Sequence, residues 1–575
     1  MARSWNAMAT GVAIAAGVAT ALVCASILVS AQQSPADLIL YNGKIITVDN
    51  TFSIAQAVAV RGDRIVEVGT DQEINQLAGP NTRRIDLEGK SVTPGFIDNH
   101  AHFMEEGAYW TLETRLDGIE SRTQALEILR AAAEAKGPGE WVFTIGGWSP
   151  DQFADDSRFF TRDELDEVLP DNPLYLQVTR DSSFVNSRAI EAVGIDKMTD
   201  PAFERNANGR LTGVITNDEA ADDVKTAAGF LRNLPEGLLE SSSLQMLKDF
   251  SKAGLTASAG SCQYVDLYRR FQQEGRLSMR FFCFRGPEGG GGGGRGGGGR
   301  GGGGGPASDA DLYESMASLK YFDGDEWIDH VNRGERLIRM QDAVTDMGPS
   351  ESPEAWDEWG RVALAAARAR IPLQIHTTME WTIEEQLKQV EKVNQQYPIR
   401  NLRWAFMHME QVTPDQIERM KKLNMFIALN PRTVVAGMTY IRRHGERGYT
   451  MPNLKAIQDS GIMWGLGTDA FEVNQYRPFT TLYWAVTGKM VGGKVVTRYP
   501  IGRVDALIAH TRSNAFLFSR ENDLGSIAKG RFADMVVLNK DYLTVPADEI
   551  KEIESVLTIV GGRIAYDAAA EASTQ

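Results

Sequence analysis

The chain has 575 residues, and acidic groups outnumber basic ones to give a net charge of −16. That balance excludes nucleic acid as the main partner, because phosphate binding needs a basic face. A composition of 43% hydrophobic and 24% charged residues excludes a disordered or fibrous chain, and three cysteines exclude a disulfide-built scaffold.

Residues 1–31 carry Arg3, then a long Ala- and Val-rich run, then "VSAQ" with Val29 and Ala31 at the small-residue positions of a cleavage site. This pattern predicts a signal peptide cut after Ala31 and an exported protein, periplasmic or secreted. Retention as an anchor is the alternative, since the run approaches the length of a membrane span. No later segment has the uninterrupted apolar length of a membrane helix. After cleavage Cys262 and Cys283 remain, which permits one disulfide without requiring it.

Residues 37–92 read as short strands with Gly-containing turns ("LILYNGKIITVD", "AQAVAVRGDRIVEVG"), and residues 525–567 repeat the pattern in "FADMVVLNKDYLTV" and "SVLTIVGGRIAYD". The simplest arrangement is one small β-sandwich domain built from both chain ends, with residues 93–524 inserted. That insert opens with "TPGFIDNHAHF". Pro94 suits the start of an extended segment, and in a strand residues two apart share a face. His100 and His102 are therefore expected side by side, able to grip a divalent ion. Two satisfied histidines at a strand end fit the short motif equally well.

Residues 104–250 form an excursion with its own strands, "EWVFTIGGW" and "LYLQVT". Strand candidates then recur at 255–261, 277–284, 318–322 ("SLKYF"), 373–377 ("LQIHT"), 404–408 ("WAFMH"), 425–431 and 462–470. Helical stretches such as "EAWDEWGRVALAAARAR" and "TPDQIERMKKLN" separate the later ones. Eight strands alternating with helices predict an α/β fold, a (β/α)8 TIM barrel. The run "GGGGGGRGGGGRGGGGG" at 289–305 cannot bury apolar surface and is expected to be a disordered loop after the third strand.

His376, His408 and Asp469 each end a predicted strand, and Lys320 lies near the end of another. In such a barrel the carboxyl ends of the strands converge on the face where active sites sit. One strand-end histidine is ordinary. Metal-capable side chains at matching positions on several strands point to a metal site. His330, His444 and His510 lack that placement and are expected to be surface or core residues.

These stretches resemble the metal-dependent amidohydrolase superfamily, in detail the amidohydrolase family 3 branch that contains N-substituted formamide deformylase and exoenzyme-like proteins. The matching motifs are "TPGFIDNHAHF", "GGWSPDQF", "VNSRAIEAVGI", "NGRLTGVI", "LQIHTTME", "FMHMEQVTPDQI", "GLGTDAFEV" and "GSIAKGRFADMVVL". The resemblance implies a divalent metal, zinc by preference, with one or two ions per chain. His100, His102, His376, His408 and Asp469 would be ligands, and Lys320 would be a carboxylated bridge between two ions. Asp469 would also be the general base, with His408 or His376 helping to stabilise the oxyanion. The implied activity is hydrolysis of a C–N bond (amide, formamide or cyclic amide) in a small-molecule substrate. Deamination, ester hydrolysis or decarboxylation on the same fold, and an exported binding protein without catalysis, are the alternatives. Where the branch has Asp-Gly-His before its "VNS", this chain reads "RDSSFVNS", so the specificity is expected to differ. Trp148, Arg180, Asn430 and Arg432 are candidates to meet substrate. A homo-oligomer stays open.

Overall fold

The computed structural model describes residues 34–179, 182–230, 234, 237–286, 308–338 and 352–573. The signal-like segment, Arg180 and the glycine run lie outside the described residues. Eight parallel strands follow one another in a single sheet: β1 (Phe96–Asp98), β2 (Leu255–Ser261), β3 (Arg280–Arg285), β4 (Ile328–Glu335), β5 (Leu373–Thr377), β6 (Ala405–His408), β7 (Phe426–Leu429) and β8 (Trp464–Leu466). The sheet curls into a nearly closed TIM barrel.

Side-chain alternation explains the curl. Ala257 and Ala259 of β2, Phe282 and Phe284 of β3, and Ala405 and Met407 of β6 share one inner cluster. Their neighbours Phe281, Cys283 and Phe406 belong to the larger cluster that packs the surrounding helices. Period two sends alternate residues to opposite faces, and small alanines facing large phenylalanines fill the interior. The helices carry local signals of their own. In "TPDQ", Thr413 caps helix Pro414–Leu423, Pro414 sits at its first position, and Gln416 completes a capping box.

The expected "SLKYF" strand does not form. Helix Asp309–Ser318 runs into it, and the fourth barrel strand lies further on, in "IDHVNRGE". The first strand is also shorter than expected. Residues Ser91–Pro94 belong to another sheet, the chain crosses at Gly95, and β1 stops at Asp98. A Cβ on Gly95 would collide with the side chain of Thr256, so only glycine allows β1 to enter the barrel beside β2 at this point.

β1 and β8 close the barrel without pairing directly. Ile97 N–H donates to His510 O at 3.1 Å. The Asn514 amide Nδ2 donates to Ile97 O at 2.6 Å and to Leu466 O at 2.7 Å. Above them Asp469 N–H donates to His100 O and His102 N–H to Ala470 O, both at 2.8 Å.

Both chain ends build the two sheets beneath. In the six-stranded sheet, Ser91–Pro94 pairs antiparallel with Met535–Leu538, with Val92 opposite Val537. The four-stranded sheet contains Ala36–Tyr41 at its centre. Leu38, Val58 and Val60 from one sheet and Val92, Met535 and Ile559 from the other share one core, as in a sandwich. The excursion folds around a five-stranded sheet that includes Val142–Thr144 and Leu174–Val178. It grips the turn after β8: Arg115 lies 4.6 Å from the Phe471 ring centroid and 2.6 Å from Asp117.

Candidate metal centre

Six side chains converge at the carboxyl ends of β4, β5 and β6 and in the turns after β1 and β8. His100 and His102 lie past the end of β1, so strand alternation does not align them. His100 N–H donates to Asp98 at 3.1 Å, and His102 opens the short helix Phe103–Glu106. Their rings nonetheless meet, with centroids 5.0 Å apart. Phe284 stacks on the other side of His100, its ring 3° from parallel.

Two donor sets result. In the first, Asp469 Oδ1 lies 3.3 Å from His100 Nε2 and 3.5 Å from His102 Nε2. In the second, Glu335 Oε1 lies 2.6 Å from His376 Nδ1 and 3.6 Å from His408 Nε2, and the two imidazole nitrogens are 3.0 Å apart. Glu335 Oε2 reaches toward His100 Nε2 at 3.7 Å, so one carboxylate spans both sets. His408 and Asp469 are themselves linked, Nδ1 to Oδ2, at 3.5 Å. His408, Met409 and Asp469 all adopt left-handed backbone conformations, with φ of 67°, 61° and 59°. Such residues cost on the order of 1–3 kcal/mol each and gather at functional sites.

Both carboxylates of the site are held ionised and His408 is held neutral. Burial works to raise the Asp469 carboxyl, but His408, His100 and His102 around it hold it well below the usual carboxylate range. Glu335 behaves alike: burial opposes ionisation, and His100, His376 and His408 overcome it. Burial pushes His408 down to about 4, against the pull of Asp469, so its imidazole is neutral at neutral pH. Burial also acts to lower His102, yet Asp469 and Glu105 raise it well above its ordinary value. Both ring nitrogens of the buried His100, and Nδ1 of His408, lack a hydrogen-bond partner among the described residues. A buried imidazole with no partner is costly. Imidazole nitrogens beside ionised carboxylates form the donor set that divalent transition metals take, so these residues fit such an ion.

Lys320 is corrected. It is exposed, follows the helix, and accepts from Arg285 through its carbonyl at 3.0 Å. Glu335 occupies the position between the two sets instead. The sequence reading missed it because β4 is half polar and did not read as a strand. Ile328 and Val331, followed by a carboxylate, were the available signal. Trp148 is also corrected: it is 0% exposed and packs 5.9 and 5.8 Å from the rings of Phe153 and Phe160 in the core of the excursion. Asn430 is buried below the centre, where its amide Nδ2 donates to Asn99 at 2.8 Å. Arg432 does reach the site, with Nη2 3.5 Å from Asp469 and Nε 3.6 Å from Glu410.

Comparison with known proteins gives a consistent family. A model described as "Amidohydrolase family" matches residues 83–566. The chain is 26% identical over 560 residues to N-substituted formamide deformylase of Arthrobacter pascens, covering 92% of this chain and 98% of that protein. It is 24% identical over 549 residues to the putative amidohydrolase YtcJ of Bacillus subtilis, covering 92% and 99%. Among solved structures, a metal-dependent hydrolase from Pyrococcus furiosus superposes with a TM-score of 0.58 at 21% identity, over 88% of this chain and 100% of that one, which shows a shared fold. The family match spans the barrel and nearly all of the C-terminal sandwich segment, and the chain belongs to the amidohydrolase family.

Proposed function

We propose that this protein hydrolyses a C–N bond, of an amide, formamide or cyclic amide, in a small molecule, using two divalent ions held by His100, His102 and Asp469 and by Glu335, His376 and His408. One observation carries the two-site reading: the Glu335 carboxylate turns one oxygen to each donor set. Zinc is the ion the donor types favour. The printed name of the Arthrobacter relative supports the bond class.

A divalent ion at such a site supplies Lewis acidity and a more acidic water. Asp469 accepts the proton of the attacking water, because its neighbours keep it ionised, and returns it to the departing amine. His408 lies against Asp469 and helps hold that carboxylate toward the reacting centre. Phe284 covers one face of His100 and keeps water from it.

The test is metal content and amine release. Protein purified without chelator should contain about two equivalents of metal per chain, and it should release amine from a panel of N-acyl and N-formyl compounds. Metal-free protein that gains nothing from added zinc would sink the proposal. We further propose that the protein is exported. The N-terminal pattern supports this, as does the Cys262–Cys283 disulfide, a bond that persists in oxidising compartments. Among the described residues no helix is long and apolar enough to cross a membrane. Recovery of the protein in a soluble cytoplasmic fraction with its N-terminal segment intact would refute export.

A further inference from the structure

The two donor sets stand on different supports. Glu335, His376 and His408 belong to β4, β5 and β6, three neighbours joined by unbroken ladders, with Glu335 opposite Ile375 and Thr377 opposite His408. His100, His102 and Asp469 follow β1 and β8, the two strands that no ladder joins. Two main-chain hydrogen bonds cross between the turns themselves, Asp469 N–H to His100 O and His102 N–H to Ala470 O, both at 2.8 Å, but below that level no ladder sets the spacing of the strand ends.

Asn514 supplies it. Its side chain is fully buried, and its amide Nδ2 donates to Ile97 O of β1 and Leu466 O of β8. Its Oδ1 accepts from Asn99 Nδ2 at 3.2 Å. A Cβ on Gly465 would collide with that Oδ1, so the glycine in β8 leaves the room the amide needs. One level higher, Asp98 takes hydrogen bonds from both ligand-bearing turns. It accepts from His100 N–H at 3.1 Å, from Thr468 N–H at 3.0 Å and from Thr468 Oγ1 at 2.6 Å.

We propose that Asn514, with the Asp98–Thr468 pair above it, is the positioning device of the His100–His102–Asp469 half of the centre alone. The side chains replace the missing ladder below the two main-chain bonds of the turns and set the distance across the seam between β1 and β8. The Glu335–His376–His408 half keeps its geometry without them. This rests on the two-site reading given above.

The experiment withdraws zinc from the loaded full-length protein with a chromophoric chelator and reads both affinities. Wild type should hold two equivalents. N514A should keep one at wild-type affinity and weaken the other at least tenfold, and the shape-conserving T468V should do the same. Adding D469N to either should cost little more, whereas adding H376N should weaken the ion that remained. If N514A does not fold, T468V decides. A two-ion wild type whose variants weaken both ions alike, or neither, overturns this inference alone. A wild type that holds fewer than two ions overturns the proposed centre, and this inference with it.

Discussion

Asp469 faces three imidazoles and one guanidinium in a buried site, and its ionised state follows from that company. Asn in its place keeps the shape and removes the proton acceptor. D469N should therefore lose roughly 10²- to 10⁴-fold in turnover, the usual worth of a positioned base, while circular dichroism and the melting temperature stay near wild type. Glu335 and Lys320 give a paired prediction. E335Q should lower the metal content measured by elemental analysis, and K320A should leave it unchanged. The reverse result would restore the lysine bridge. The histidines and the aspartate were legible because each follows a short apolar strand. Glu335 was not, because its strand alternates Ile328 and Val331 with Asp329, His330, Asn332 and Arg333. A barrel interior tolerates such polarity where it approaches the site, and a sequence pattern alone cannot tell it from a loop.

At the scale of elements, seven of the eight barrel strands were visible as apolar runs, with ends displaced by a few residues. β1 was misjudged in extent because two sheets share one extended segment, divided at Gly95, and hydrophobicity does not record which sheet a residue joins. The seam beside β1 also holds a residue expected to be inert. His510 is fully buried, with its Nδ1 3.2 Å from Ile97 O and its ring edge-on to Phe96 at 5.7 Å. Burial pushes it down to about 4. The unfolded chain takes up this proton near the ordinary histidine value of about 6.5, whereas the fold resists it until about pH 4. Stability from this group is thus complete above about pH 6.5 and is lost as pH falls through that window. The loss totals about 3 kcal/mol at about 1.4 kcal/mol per unit. Chemical denaturation from pH 7 to 4 should show a shallower decline in H510Q than in wild type. Equal slopes would mean another group carries the effect.

Across the whole molecule, one covalent tie and one shared sheet join distant parts. Cys262, just past β2, is bonded to Cys283 in β3, 21 residues on. In the loop-closure account such a ring is worth about 3 kcal/mol through the unfolded state, so the C262S/C283S double variant should lose about that much stability in urea, with a steeper slope because its unfolded chain is more open. Phe284 neighbours Cys283 and stacks on His100, which places the tie beside the metal centre. The sandwich joins the chain ends more widely. Val92 lies opposite Val537, and the core around Leu38 and Val60 is closed by Met535 and Ile559. A ribosome therefore makes these first strands long before it makes their partners. Until then their apolar faces need shelter, as a chaperone gives. A stop codon shortly before Met535 would cost far more than the few strands it deletes. It would strip the cover from the earliest part of the protein and leave β1 hanging from half a sheet.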